Sequence, residues 1–263
     1  MTRLVVVGLG TALVACGRFD FEPRRDAGGV IALDAVELPC GVSASAPDMV
    51  TMAGRTIEYQ TFANASVPVA GVTVRAIDGD TLATVGETTS DANGDYAVSA
   101  PTGGAARRLG LQFEATGFFV TNVVRDLPIA ADTMGAGMPR WTYGDGPVWD
   151  SAGMAAIYNA AGATRDPARG FINVAVRDCA GASIDGVTVA FDPAPAVVRY
   201  QTMSGMPAVN GPTQLPFAHV FALNAPAGRT RITATKTGRT FLETEVMVVG
   251  GQVNTLTIVR AVD

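Results

Sequence analysis

The run GVTVRAIDGDTLATVGETTSDANGDYAVSAP, Gly71 to Pro101, reads as three short strands joined by two turns. Val72, Val74 and Ala76 alternate with Thr73, Arg75 and Ile77, the period of two that gives a strand one apolar and one mixed face. Asp78-Gly79-Asp80 turns the chain, because Gly accepts positive φ and Asp bonds its own downstream backbone. Thr81 to Thr89 runs back, Asp91-Ala92-Asn93-Gly94 turns again, and Asp95 to Ala100 returns with Tyr96 and Val98 on one face. The spacing predicts a β-meander, paired edge to edge, with no helix in it.

Pieces of this run recur further on. Gly186-Val187-Thr188-Val189 repeats Gly71-Val72-Thr73-Val74, Ala225-Pro226-Ala227-Gly228 repeats Ala100-Pro101-Thr102-Gly103, and Thr237-Gly238 repeats Thr116-Gly117. Landmarks in the same order mean an internal repeat. The first copy is expected to open with Met49 to Thr61, a strand pair or one bent strand broken at Gly54. It continues through Leu109 to Thr116, with Leu109, Leu111, Phe113 and Ala115 facing in, and closes with Phe118 to Val124, near Leu127. The second starts at Gly170 with Ile172, Val174 and Val176 alternating against Asn173, Ala175 and Arg177. The spacing between landmarks grows within the second copy, so its middle hairpin, Met203 to Phe217, is enlarged. Such a loop is a place for binding specificity or a length change that loops accept cheaply.

The chain has 263 residues, enough for two β-domains with cores of their own, and a net charge of −5 offers no basic footprint for nucleic acid. Met1 to Cys16, MTRLVVVGLGTALVAC, carries Arg3 and then an apolar stretch from Leu4 to Val14 that is too short to span a bilayer. Its end, Leu13-Val14-Ala15-Cys16, resembles the lipobox of bacterial lipoproteins. That resemblance implies cleavage before Cys16, acylation of Cys16 and a membrane partner held through the N-terminal lipid. An ordinary signal peptide or a buried Cys16 is the alternative. Gly17, in place of Asp, favours the outer membrane of the cell envelope. Residues 17–38 then form a charged, Gly-bearing tether.

Cys40 and Cys179 remain, and export to an oxidising compartment suggests one disulfide between them, with two separate buried thiols as the alternative. Between the copies, Asp150 or Ser151 can cap a helix whose Met154, Ile157, Tyr158 and Ala161 make one apolar face, with Gly162 ending it. About three turns are not stable alone, so the helix is expected to dock on the second domain. Trp141, Tyr143 and Trp149 stand close together just before it. They are candidates either for a sugar-stacking platform or for filling the seam between two domains.

The opening run, with Asp91, Asn93, Gly94 and Tyr96 at the second turn, resembles the carboxypeptidase regulatory-like, transthyretin-like domain family. The second copy matches the entry pattern loosely at Gly181, Ile184, Gly186 and Val189 and lacks the Asp-x-Asn-Gly turn. The whole chain resembles bacterial surface lipoproteins that string such domains after a short tether. The resemblance implies an all-β protein: two tandem Greek-key, prealbumin-like β-sandwich domains joined by a linker with one short helix, after a lipoprotein signal peptide. The expected divisions are signal peptide 1–15, lipid anchor and tether 16–46, first sandwich 47–127, linker 128–169 and second sandwich 170–263. In the family's enzymes this domain accompanies a zinc peptidase domain, so an accessory role in a peptidase system is a further reading.

The chemistry is thin. A zinc peptidase or a Ser-His-Asp triad would have to use His219, the single histidine, which stands beside Phe217 and Phe221 on an expected strand. No phosphate-binding glycine pattern lies between a strand and a helix. Asp91, Asn93 and Asp95 alternate as in calcium loops, but a hairpin turn demands the same residues by itself. The expected function is therefore a non-catalytic envelope protein with no cofactor, acting as a structural or protein-interaction module toward an envelope protein. A carbohydrate-binding module taking an envelope glycan through the three aromatic rings is the alternative.

Overall fold

A computed structural model describes residues 38–58, 67–133, 145–202, 205 and 207–262. The first half lays down β1 (Met49–Glu58), β2 (Val67–Pro68), β3 (Thr73–Asp78), β4 (Thr84–Thr89), β5 (Asp95–Pro101), β6 (Leu109–Glu114), β7 (Phe118–Phe119), β8 (Thr121–Val124) and β9 (Asp145–Asp150). The helix α1 (Ser151–Ala160) follows. The second half lays down β10 (Gly170–Arg177), β11 (Thr188–Asp192), β12 (Val197–Gln201), β13 (Pro207–Val209), β14 (His219–Ala225), β15 (Gly228–Thr235), β16 (Thr244–Val248) and β17 (Val253–Arg260). Apart from this helix and a single 3-10 turn over Pro39–Gly41, the described residues are all-β, and they form two Greek-key sandwiches in tandem.

The expected meander over Gly71 to Pro101 is corrected. β3 and β4 do form an antiparallel hairpin, but β5 leaves them and pairs with β1 in the facing sheet. The corner is built from side chains. Ser90 Oγ accepts from Val72 N at 3.0 Å and donates to the Val69 carbonyl at 3.1 Å. Asp91 Oδ1 accepts from the backbone N–H groups of Asn93 and Asp95 at 2.8 and 2.9 Å. Alternation could not separate the two arrangements, because Tyr96, Val98 and Ala100 face a core in both. After the corner β5 presses on β4 so closely that a Cβ on Gly86 would stand 2.1 Å from the Ser99 carbonyl oxygen.

β1 is one unbroken strand, contrary to the break expected at Gly54, which sits opposite Tyr96 in the ladder. What changes along it is the partner. Met49 to Arg55 pairs with β5, and Arg55 to Glu58 pairs in parallel with β9. β9 falls in the stretch expected to be linker, yet it completes the first sandwich: it lies between β1 and β7. The final strand expected over Phe118 to Val124 is divided for the same reason, since β7 joins β9 while β8 joins β6 in the other layer. Between β4-β3-β6-β8 and the layer of β5, β1, β9 and β7 lies a core of Val50, Met52, Val72, Val74, Leu111, Phe113 and their neighbours.

In the second half, β14 and β10 face β11-β15-β16 across a core that includes Ile172, Val174, Val176, Val187, Ile232 and Val246. β10 was expected to alternate, but its two faces are both buried. The reverse face carries Phe171, which packs with Trp149, Met154, Ile157 and Tyr158 in a third cluster. α1 is capped as expected: the Asp150 carboxylate accepts from Gly153 N at 2.6 Å. Its apolar face docks on the back of the second sandwich's sheet.

One sheet runs through both sandwiches in the order β13-β12-β14-β10-β17-β8-β6-β3-β4. The join is parallel, with Val253 opposite Thr121 and Asn254 opposite Asn122. Phe171, Val253 and Thr121 form one row across the join, and Ile172, Asn254 and Asn122 form the next. The first row faces the helix and the first core, and the second faces the second core. The two sandwiches therefore stand side by side, with their cores on opposite faces of the shared sheet.

Candidate functional site

The registers put corresponding strand ends at common poles. β10 and β17 run parallel and finish together at Arg177 and Arg260, and β8 runs the same way toward Asp126. Cys40 and Cys179 are joined there by a disulfide, with Cα atoms 5.1 Å apart. The Cys179 Sγ also lies 3.5 Å from the Ala261 carbonyl oxygen. The start and the end of the described chain thus meet at one pole, next to the seam between the sandwiches.

That seam is polar and closed. Arg260 Nε donates to Asp126 Oδ2 at 2.7 Å and its Nη1 to the Asp178 carbonyl at 2.8 Å. The two charged side chains are only 6% and 1% exposed. Beside them Arg125 is brought down to about 9, chiefly by burial, with the Asp126 charge opposing the shift and Arg260 reinforcing it. Asn122 Nδ2 donates to Gln252 Oε1 at 2.9 Å, and Gln112 Nε2 donates to Asn122 Oδ1 at 2.9 Å. Arg108 donates to the Glu245 carbonyl from across the seam. At the opposite end Arg165 stands 4.5 Å above the Phe119 ring.

His219 is buried on β14, separated from the seam by β10. Its Nδ1 is 3.0 Å from Asn173 Oδ1 and its Nε2 is 3.4 Å from Arg177 Nη2. That geometry suits a neutral ring that donates from Nδ1 and accepts at Nε2. Burial, and after it the Arg177 charge, pushes the imidazole down to about 3. A ring held neutral between two structural partners and shut off from solvent is placed as a strand histidine.

The other candidates separate. Trp149 is wholly buried against Phe171, with ring centroids 6.0 Å apart, so its faces are not open to a sugar. This corrects the stacking-platform reading for that residue: strand pairing of β9 turns it into the seam. Trp141 and Tyr143 lie outside the described residues, as do Cys16 and the whole of 1–37. Asp91 serves the corner turn, and Asp95 pairs with Arg55 at 2.7 Å. No three His, Cys, Asp or Glu side chains among the described residues are grouped to hold a metal ion. Within the enlarged hairpin, Thr213 is buried and bonds the backbone of Val187 and Ile184, and Tyr200, just before it, bonds Val189. The sequence reading missed Asp126, Arg260, Tyr200 and Thr213. For Asp126 and Arg260 no local signal exists, because the partners stand 134 residues apart. For Tyr200 the signal is an aromatic residue on a short strand facing a repeat landmark.

No family model matches the chain, and no curated protein matches it. Solved structures give distant likenesses. The Bacillus anthracis TIE protein is 9% identical, with 81% of this chain and 34% of that chain covered and a TM-score of 0.24. A shaft pilin of Lactobacillus rhamnosus GG is 9% identical, with 83% and 98% covered and a TM-score of 0.22. Two B repeat units of the collagen-binding protein of Staphylococcus aureus are 12% identical, with 81% and 49% covered and a TM-score of 0.25. The chain thus spans about a third of the first of these and about half of the last.

Proposed function

We propose that this chain is a non-catalytic, lipid-anchored protein of the cell envelope that acts as a structural or protein-interaction module. The observation that carries the reading is the seam. A buried Arg260–Asp126 pair, a continuous sheet and the Cys40–Cys179 bridge join the two sandwiches side by side. They make one stiff block whose chain start lies beside its chain end, a form suited to holding surface loops in fixed relation to a tether. The buried, neutral His219 supports the non-catalytic half of the proposal, since it is the chain's single imidazole and is committed to Asn173 and Arg177. The anchor belongs to the same proposal: residues 1–15 are removed, Cys16 is acylated, the residues between Cys16 and the bridged Cys40 tether the block, and the outer membrane is the site. Residues 40–46, expected as the end of the tether, are part of the block, with Ser45 bridged to Ala105 and Ala46 N donating to the Gly104 carbonyl.

Two measurements test it. Cys16→Ala is expected to move the protein from the membrane pellet to the soluble fraction; retention in the pellet overturns the anchor. Cross-linking in intact cells is expected to capture an envelope protein. Capture of glycan alone would transfer the weight to the carbohydrate-binding alternative.

A further inference from the structure

Two Asn-Gly pairs occur in the chain, Asn93-Gly94 and Asn210-Gly211. Such a pair can lose ammonia without an enzyme. The following amide nitrogen attacks the side-chain carbonyl carbon, and glycine, having no Cβ, leaves that approach open. By sequence the two pairs are alike; the fold separates them.

Both asparagines are exposed, but Gly94 is buried and its N–H donates to the Asp91 carbonyl at 3.0 Å. The Gly94 carbonyl accepts from Thr56 N at 2.8 Å and from Thr56 Oγ1 at 3.0 Å, and Asn93 N donates to Asp91 Oδ1 at 2.8 Å. At this pair the nitrogen that must attack is committed to the corner turn.

At the second pair the nitrogen is open and the oxygen is held. Asn210 follows β13 in the enlarged hairpin, and no hydrogen bond occupies Gly211 N among the described residues. No atom lies within 4 Å of the place a Gly211 Cβ would take, so the reacting groups have room. Arg199 Nη1 donates to Asn210 Oδ1 at 3.0 Å. That guanidinium is itself fixed: its Nε donates to the Ala161 carbonyl at 3.1 Å, and Nη1 also donates to the Val198 carbonyl at 2.9 Å. A cation fixed on a carbonyl oxygen stabilises the negative charge that gathers there as a nucleophile adds.

We infer that Asn210 is a self-modification site, at which Gly211 N displaces the side-chain amide with Arg199 as the oxyanion donor. Gly211 N gives its proton to hydroxide and bonds to Asn210 Cγ. The Cγ–Nδ2 bond then breaks, and Nδ2 leaves as ammonia with a proton taken from water. Water opens the resulting succinimide ring at either carbonyl, leaving aspartate or isoaspartate at 210. The net change turns an amide and a water into a carboxylate and an ammonium ion. The new carboxylate stays beside Arg199 and adds a negative charge to the hairpin of a chain already at −5.

The test is ageing of the purified full chain in mildly alkaline buffer, folded and in urea, read by digestion and mass spectrometry with isoaspartate detection. In the fold Asn210 is expected to convert at least about tenfold faster than Asn93, because Asn93 must wait for its turn to open. In urea the two should convert at similar rates. Arg199→Leu should slow conversion at 210 and leave that at 93 unchanged. An Asn210 that keeps its amide in the fold while converting in urea overturns the inference, as does folded conversion at 93 that matches 210. Conversion at 210 that is as fast or faster in Arg199→Leu overturns it too. Should that variant fail to fold, the comparison of folded with unfolded wild type decides.

Discussion

Removing the Asp126 carboxylate is the sharpest perturbation of the seam. In Asp126→Ala the Arg260 guanidinium keeps its bond to the Asp178 carbonyl but loses the charge that neutralises it, in a site where the side chain is 6% exposed. Arg125, already pushed down to about 9 by burial, loses the neighbour that opposed that shift. Breaking one side of a buried pair costs about 3–5 kcal/mol, because the remaining charge stays desolvated. For a chain of this size each kcal/mol moves the melting midpoint by roughly 2–4 °C, so a fall of roughly 6–20 °C is expected. Urea unfolding in a Trp141→Phe background gives the assay, with the buried Trp149 as reporter of the seam. Replacing both partners, Asp126→Leu with Arg260→Met, should recover part of the loss, since the Arg260 charge no longer needs neutralising while Arg125 still lacks Asp126. A single-variant loss below about 1 kcal/mol, the scale of an exposed pair, would refute the claim that the seam is closed. So would a double variant as unstable as the single one.

Three further outcomes are expected. His219, held near 3 in the fold against 6.5 when free, refuses a proton that the unfolded chain binds, so stability should fall as pH drops from about 6.5 toward about 3, at up to about 1.36 kcal/mol per pH unit. His219→Gln should flatten that slope in pH-dependent urea titrations, and equal slopes for the two proteins would contradict the assignment. Cys40→Ser with Cys179→Ser opens a loop closed over a separation of 139 residues and should cost about 2–5 kcal/mol in the same assay, whereas no change would mean the bridge is absent in solution. Gly86→Ala places a Cβ 2.1 Å from the Ser99 carbonyl oxygen and should lower stability by about 1–3 kcal/mol; a neutral result would show that β5 does not press on β4 as described.

The sequence by itself determined the local elements. Alternation marked β3, β5, β6 and β10, Asx chemistry marked the turn at Asp91 to Gly94, and Asp150 with its apolar stripe marked α1 to within a residue. The repeat of Gly71 to Val74 at Gly186 to Val189 revealed two related sandwiches. These signals are legible because they depend on neighbours one to four positions away. Which sheet each strand joins was decided only in three dimensions. β5 does not pair with the preceding β4, nor β12 with the preceding β11, and an alternating strand buries the same side chains whichever layer receives it. The polar seam was equally hidden: Asp126, Arg260, Asn122 and Gln252 read as ordinary surface residues until β17 is laid beside β8. Burial, and with it the energy of a charge or an amide, is a property of what packs above a residue, and here that cover comes from more than a hundred positions away.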